Sequence, residues 1–286
     1  MSKVLFFINN PANLDDFRHR LAAENIETTV ADYTDLELIL DTDKSSIKLA
    51  STGADLADFD LIMNISTPAH NLMHIFSSIA CYCRKKSIKM IDNSFTNTSG
   101  KLFEMWRLWE KDLSVPKTAY GNLNHLSRCL IEFGGTGILK ITHGAKGREN
   151  YLVHSTEELA AILAGKNPYD YILQNFIPNN GDYRIVTFDF KPKLGIYRQA
   201  SGTDHRNNTS LGAQASIVEP DSEVASLAAN AAEALDIRFA GVDIITDKNT
   251  GANYVLEINR TPQFTTGSFL DEKYATLLSY LRSLNI

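Results

Sequence analysis

Two carboxylates and one carboxamide stand out in the segment AGVDIITDKNTGANYVLEINRTP: Asp243, Glu257 and Asn259. Residues 239–246 and 253–259 have strand-like composition and flank the polar stretch Asp247-Lys248-Asn249-Thr250-Gly251, which predicts a hairpin. Counting outward from a turn centred near Asn249 and Thr250 places Asp243 roughly opposite Glu257. Gly241 then falls roughly opposite Asn259 and leaves room for a bulky group. Side chains alternate faces along a strand, so Glu257 and Asn259 point the same way. Opposed carboxylates repel unless a cation lies between them. An all-oxygen donor set selects a hard cation, Mg²⁺ or Mn²⁺, and so few protein ligands leave positions for phosphate oxygens. The competing reading is a solvated strand face carrying acids by chance. The apolar neighbours Val242, Ile244, Val255, Leu256 and Ile258 weigh against it.

Phosphate-binding chemistry has further candidates upstream. His143-Gly144-Ala145-Lys146-Gly147-Arg148 combines glycines, which let a backbone approach phosphate oxygens, with two cations. It fits neither a Walker A loop nor GxGxxG, and a plain hairpin turn explains it equally well. Lys140 lies in the apolar run Ile138-Leu139-Lys140-Ile141, where a buried ammonium needs a partner. A triphosphate would serve; an edge position with a snorkelling stem is the plainer alternative. Residues 172–177 could offer backbone amide and carbonyl groups to an adenine. Arg184, Lys191, Lys193, Arg198, His205 and Arg206 form a basic cluster suited to a phosphate or a substrate carboxylate. Lys191 and Lys193, near a turn, read as solvated.

The elements that must position these groups follow from periodicity. Apolar strands at 4–8, 28–31, 59–65 and 88–91 alternate with helical patterns at 13–24 and 70–86. That order predicts an open α/β lobe of parallel strands joined by right-handed crossovers. The middle of the chain predicts helices over 99–112 and 125–133, strands over 137–142, 151–154 and 171–177, and a helix capped by Ser155. Together these make a small α+β lobe. The last portion predicts two antiparallel hairpins, 183–189 with 194–200 and 239–246 with 253–259, plus an Ala-rich helix over 221–235 and a closing helix over 271–284.

Composition narrows the classes. The 286 residues allow two or three lobes, and 44% hydrophobic with 22% charged residues is ordinary for a globular chain. A formal net charge of -6 argues against a general nucleic-acid binder. The three cysteines, Cys81, Cys83 and Cys129, read as neutral thiols and not as a disulfide framework or zinc site. The N-terminus lacks a signal-peptide pattern and no window is long and apolar enough for a membrane helix. A cytoplasmic protein without a membrane partner is expected.

These elements in this order resemble the ATP-grasp superfamily, and within it the RimK-like amino-acid ligases. The resemblance runs over residues 94–264. Lys101 opens a helix ahead of Val115-Pro116-Lys117-Thr118, the family's V-P-x-T stretch. Lys140 and the loop 144–147 follow. Gln174-Asn175-Phe176-Ile177 matches the Q-E-Y-I hinge, and Gly181-Asp182-Tyr183-Arg184 matches G-x-D-x-R with one residue fewer before the acid. Arg206-Asn207-Asn208 stands for R-S-N, Gly241-Val242-Asp243 for G-V-D, and Glu257-Ile258-Asn259-Arg260-Thr261-Pro262-Gln263 for E-V-N-x-S-P-G.

The resemblance implies an ATP-grasp fold with an N-terminal pre-ATP-grasp α/β domain over 1–95. The ATP-grasp domain would cover 96–286, with a middle lobe at about 115–175 and a C-terminal lobe at about 176–286. It implies ATP between those lobes, with Mg²⁺ or Mn²⁺, in two ions, on Asp243, Glu257 and Asn259. Lys101, Lys140, Gly144, Lys146 and Gly147 would meet phosphates, and Gln174, Asn175, Phe176 and Ile177 the adenine. Asp182 would meet the ribose, and Arg206, Asn207 and Asn208 would lie by the phosphates and metal. The implied activity joins a carboxylate to an amine through an acylphosphate, with Arg184 and Arg198 stabilising the reacting group. The substrates would be small molecules or peptides, and the assembly a homodimer or homotetramer. The rival activities are a phosphotransferase that stops at carboxylate activation, or a non-catalytic nucleotide-binding subunit. Two departures stand out: Asn175 replaces an acid, and Gln263 replaces the glycine beside the acceptor site.

Overall fold

A computed structural model describes residues 1–8, 14–66, 72–91, 100–142, 150–199 and 214–286. The chain divides into two compact units. The first comprises Met1–Phe95, Asp236–Ala240 and Arg260–Ile286, and the second Thr96–Leu235 and Gly241–Asn259.

The first unit opens with β1 (Ser2–Phe7), α1 (Asp15–Ala22), β2 (Ile26–Ala31), β3 (Leu36–Ile39), β4 (Ser46–Leu49), β5 (Leu61–Asn64), α2 (Met73–Lys86) and β6 (Lys89–Ile91). Four of these strands form a sheet in the order β2-β1-β5-β6, and every pairing in it is parallel. This is the α/β lobe that the alternating pattern predicts. Val4, Leu5, Phe6 and Phe7 are fully buried, as a central strand covered on both faces requires. The β3–β4 hairpin is not foreseen by the sequence. Leu36, Leu38, Ile39 and Leu40 show no clean alternation, and β3 is largely exposed.

The second unit contains α3 (Gly100–Glu110), β7 (Thr118–Ala119), α4 (Leu123–Glu132), β8 (Gly137–Ile141), β9 (Asn150–Val153), α5 (Thr156–Leu163), β10 (Tyr171–Asn175), β11 (Asp182–Phe188), β12 (Lys191–Gln199), β13 (Gln214–Val218), α6 (Ser222–Ala234), β14 (Phe239–Thr246) and β15 (Asn253–Asn259). The first two residues of β14 belong to the other unit. Asn122, Ser155 and Asp221 cap α4, α5 and α6 by accepting from His125, Glu158 and Val224 amides.

A small antiparallel sheet runs β7-β10-β8-β9. Its Ala119, Leu139, Val153, Tyr171 and Leu173 pack on Leu126 and Leu130 of α4 and on Leu159 and Leu163 of α5. The alternate residues, among them Thr118, Lys140, Ile172 and Gln174, therefore share the face turned away from those helices. The second sheet runs β13-β12-β11-β14-β15, with α6 packed against β11, β12 and β15. The short edge strand β13 was invisible in the sequence because its side chains are mostly exposed and give no apolar alternation.

Chain order and spatial grouping part company at the C-terminus. The sequence groups the closing helix, α7 (Leu270–Ser283), with the ATP-grasp portion, whereas its contacts place it in the first unit. Tyr274 packs its ring 5.4 Å from Phe17, Arg282 pairs with Glu24, and Asp271 lies 2.6 Å from Arg20. No helix among the described residues is long and apolar enough to cross a membrane.

Candidate active site

The β14–β15 hairpin brings the two carboxylates face to face. Gly241 pairs with Asn259, Val242 with Ile258 and Asp243 with Glu257; the register then shifts, and Ile244 pairs with Val255. Leu256 is the extra residue of a β-bulge. Strict alternation would put Val255 and Glu257 on one face. The bulge separates them, leaving Val255 and Ile244 fully buried in the core while Glu257 and Asn259 join Asp243 on the opposite face. Asn259 Nδ2 donates to Glu257 Oε1 at 3.1 Å and lies 3.5 Å from Asp243 Oδ2. Rotation of this amide about its last bond would present its carbonyl oxygen in place of the nitrogen. The three side chains expected to act together are therefore gathered at one place.

Arginines flank this group. Arg184 grips Asp243 through Nε and, at 2.8 Å, through Nη2. Arg198 holds Asp182 through Nε at 2.8 Å and Nη2 at 2.7 Å, and its Nη2 is also 3.1 Å from Asp243 Oδ1. Burial would raise the pKa of Asp243, but the Arg184 and Arg198 guanidiniums outweigh it and hold the carboxyl below its usual range. Burial works against the Arg198 charge too, and Asp243 and Asp182 reverse it, so the guanidinium stays firmly protonated. Burial pushes Asp182 up to about 6, restrained by Arg198, so it remains ionised at neutral pH. Asp182, which the resemblance puts at a ribose, has both oxygens on Arg198.

The small sheet supplies the next layer. Lys140 of β8 sits on the face free of helices, and burial lowers its pKa while the negative charge of Glu257 resists that shift. Lys101 adds to the lowering, and Asp243 and Glu104 oppose it. The electrostatic reach of these groups ties β8, the start of α3 and the carboxylate hairpin to one locality. The backbone does the same, since the Lys101 amide donates to the Thr142 carbonyl at 3.1 Å. Glu104 was missed in the sequence, although its spacing of three from Lys101 puts both on one side of α3.

Gln174 is 2% exposed and donates Nε2 to Thr118 Oγ1 at 3.0 Å. The Thr118 hydroxyl donates onward to the Pro116 carbonyl, which fixes the orientation of the amide. Gln174 Oε1 and Asn175 Oδ1 are then buried acceptors with no hydrogen-bond partner among the described residues. The amides of Asn175 and Phe176 are spent on the carbonyls of Lys117 and Thr136, so they are not open to a base. Phe176 is half-buried and Ile177 buried. Gly144, Lys146, Gly147, Arg206, Asn207 and Asn208 lie outside the described residues.

A RimK-like ATP-grasp domain matches residues 105–273, more than half of the chain. The chain belongs to the RimK-like ATP-grasp family. A probable alpha-L-glutamate ligase of Shewanella pealeana is 28% identical over 176 residues, covering 59% of this chain and 38% of that protein. One of Saccharophagus degradans is 23% identical over 272 residues, 91% of this chain and 88% of its own length. The chain thus spans well under half of the Shewanella relative. Among solved structures, the ATP-grasp ligase PsnB, complexed with a phosphomimetic variant of a minimal precursor, Mg and ADP, superposes with a TM-score of 0.75. The match covers 98% of this chain and 99% of PsnB at 16% identity, which establishes the ATP-grasp fold.

Proposed function

We propose that this RimK-like chain is an ATP-dependent carboxylate–amine ligase. The observation that carries the reading is the convergence of Asp243, Glu257 and Asn259 on one face, with the half-buried Lys140 within their electrostatic reach. The donor set fits a hard divalent cation. Glu257 and the Asn259 carboxamide are its more open members, and Asp243 Oδ2 has one strong bond, to Arg184, which leaves an oxygen lone pair available. When bound, Mg²⁺, in two ions, would neutralise charge on the phosphates of ATP.

The chain's own residues would divide the remaining work. Lys140 and Lys101 hold phosphate oxygens by charge. Gln174, on the same face as Lys140, offers its unpartnered oxygen to an amino-bearing base, with Asn175, Phe176 and Ile177 continuing the hinge. Loop residues Gly144, Lys146, Gly147, Arg206, Asn207 and Asn208 would complete the phosphate contacts. Arg184, the more exposed of the two arginines at Asp243, would meet a carboxylate as it accepts a phosphoryl group. The carboxylate oxygen attacks the terminal phosphorus and ADP leaves. An amine then attacks the acylphosphate carbon, phosphate leaves, and an amide remains. No side-chain nucleophile is required.

The substrates would be a small-molecule or peptide carboxylate and an amine, with glutamate suggested by the names of the curated relatives and a peptide by a second PsnB structure, complexed with a precursor peptide. A cytoplasmic homodimer or homotetramer is the accompanying expectation. Purified protein with ATP, Mg²⁺ and a panel of amino acids and peptides should release ADP only when acid and amine are both present. The product mass should equal their sum less one water. Binding of ATP with no ADP release across the panel would contradict the reading.

A further inference from the structure

The chain has two tryptophans, and both stand on α3. Trp106 is 60% and Trp109 63% exposed, and their rings meet edge to face at 5.4 Å. Phe103, one turn earlier, is 36% exposed, so the three make an aromatic row at a spacing of three along the helix. Met105 and Leu108 fill the buried side of α3. Tryptophan is highly buried on average, so two side by side in solvent mark a contact surface. Lys101 and Glu104 lie about 140° and 160° round the helix from Trp106, so the row faces away from the candidate site. Beside the row, Arg107 pairs with Glu110, and its Nη2 donates to the Ala234 carbonyl at 3.1 Å, which holds the cation in place.

We infer that this row is the centre of an interface with a second copy of the chain, the two α3 helices crossing antiparallel about a two-fold axis. A surface that meets its own copy must be self-complementary. Here one cation and one anion, three residues apart, flank the apolar row. An axis between positions 108 and 109 brings the two Trp109 rings together and sets Arg107 of each copy against Glu110 of the other. A partner of net charge would leave one of the two opposed by its like. The charges at Arg107, Glu110, Lys111 and Asp112 cancel, which does not suit an anionic membrane surface. At three-fifths exposure, two indoles of about 250 Å² leave roughly 300 Å² of apolar surface. Phe103 and the stems of Arg107 and Glu110 bring the row to roughly half of the ~800 Å² that each partner gives to a standard interface, a share that fits an aromatic centre within a polar rim. The inference gives a surface to the homodimer expected above. Association is read without ATP or substrates, so its failure leaves the ligase reading standing.

Sedimentation velocity of the full chain from about 1 to 100 µM should show a monomer–dimer equilibrium. The two tryptophans are the chain's only indoles, so their emission should shift to the blue over the same range. Trp109→Ser should raise the dimer Kd at least about a hundredfold with Tm unchanged, because the lost contact counts twice across the axis. Arg107→Glu and Glu110→Arg should each weaken association about tenfold, and an equimolar mixture of the two should recover wild-type affinity to within about threefold. Only the mixed pair sets opposite charges together at both contacts; the pairing of Arg107 with Glu110 inside one chain cannot be restored by mixing. A monomer at every concentration, a Trp109→Ser dimer as tight as wild type, or no recovery on mixing would each overturn the proposal. So would a monomer whose emission shifts only on addition of phosphatidylglycerol vesicles, which would give the surface to a membrane.

Discussion

Replacing Lys140 with methionine should weaken nucleotide binding and raise the stability of the nucleotide-free protein. Lys140 lies in an apolar strand, and its pKa is lowered because burial outweighs the attraction of Glu257. The sign follows from linkage. A lysine whose folded pKa lies below its unfolded value binds its proton less tightly in the folded state, so the ammonium disfavours folding at neutral pH. Methionine keeps the stem and removes that burden. Exchanging a buried ion for a well-packed apolar side chain ranges from neutral to about 4 kcal/mol stabilising. A gain of about 1 kcal/mol would raise Tm by about 2–4 °C in a chain of this size. Binding moves the other way. An ammonium about 4 Å from one phosphate charge contributes up to about 4 kcal/mol at an effective dielectric of 20. Recovered desolvation and Lys101 offset part of this, so Kd for ATP should rise about 10- to 100-fold. Differential scanning fluorimetry without nucleotide and calorimetric ATP titration measure the two arms. A destabilised variant that binds ATP normally would show that Lys140 serves the fold and not the nucleotide.

Three further outcomes follow from the same geometry. Gln174→Met should leave Tm unchanged or higher, because it removes a buried unpaired oxygen, while raising the Kd for ATP about threefold to tenfold by calorimetry; a lower Tm with unchanged Kd would contradict it. Lys273→Met should destabilise the protein by about 2 kcal/mol or more on thermal melting, because the buried ammonium donates to the carbonyls of Gln263 and Thr266 at 2.9 Å and a methionine leaves both without it. The stability difference between wild type and Asp182→Asn should depend on pH. Asp182 has a folded pKa raised to about 6, so its stabilising contribution is present below the unfolded value near 3.8 and is lost as pH rises through 6. Melting at intervals from pH 4 to pH 7 should show that slope in wild type minus variant, and a flat difference would contradict it.

The candidate site was legible where chemistry is carried by strand periodicity, and obscure where it depends on bulges. Counting from Asn249 and Thr250 brought Asp243 near Glu257, and the hairpin forms over residues 239–246 and 253–259 as expected. The count alone would have paired Asp243 with Leu256; the bulge supplies the missing residue. The first hairpin shows the converse failure. The expected turn, 190–193, lies too late, because β12 already begins at Lys191 and Phe188 pairs with it; the register also shifts between Val186 and Thr187, so a count outward from 190–193 does not set Asp182 against its partner, Arg198. The Asp182–Arg198 pair was therefore missed, and so were the carboxylates of the chain that both arginines bind. Lys140 was legible as a cation in an apolar strand, although it is half-buried, and its proximity to Glu257 was not legible, because that depends on how two sheets of one unit meet. In the first unit the parallel sheet followed from fully apolar runs such as Val4 to Phe7, while the exposed β3–β4 hairpin left no periodic trace.

Mg²⁺-dependent ADP release by wild type and Glu257→Gln, measured with a matched acid and amine, tests the central claim most directly. Glutamine keeps the size of the side chain and removes one of the two opposed charges. The expected result is loss of turnover by at least a hundredfold, with the circular dichroism spectrum unchanged and Tm equal or higher. Wild-type turnover in that variant would contradict the assignment of the carboxylate hairpin as the metal–nucleotide site.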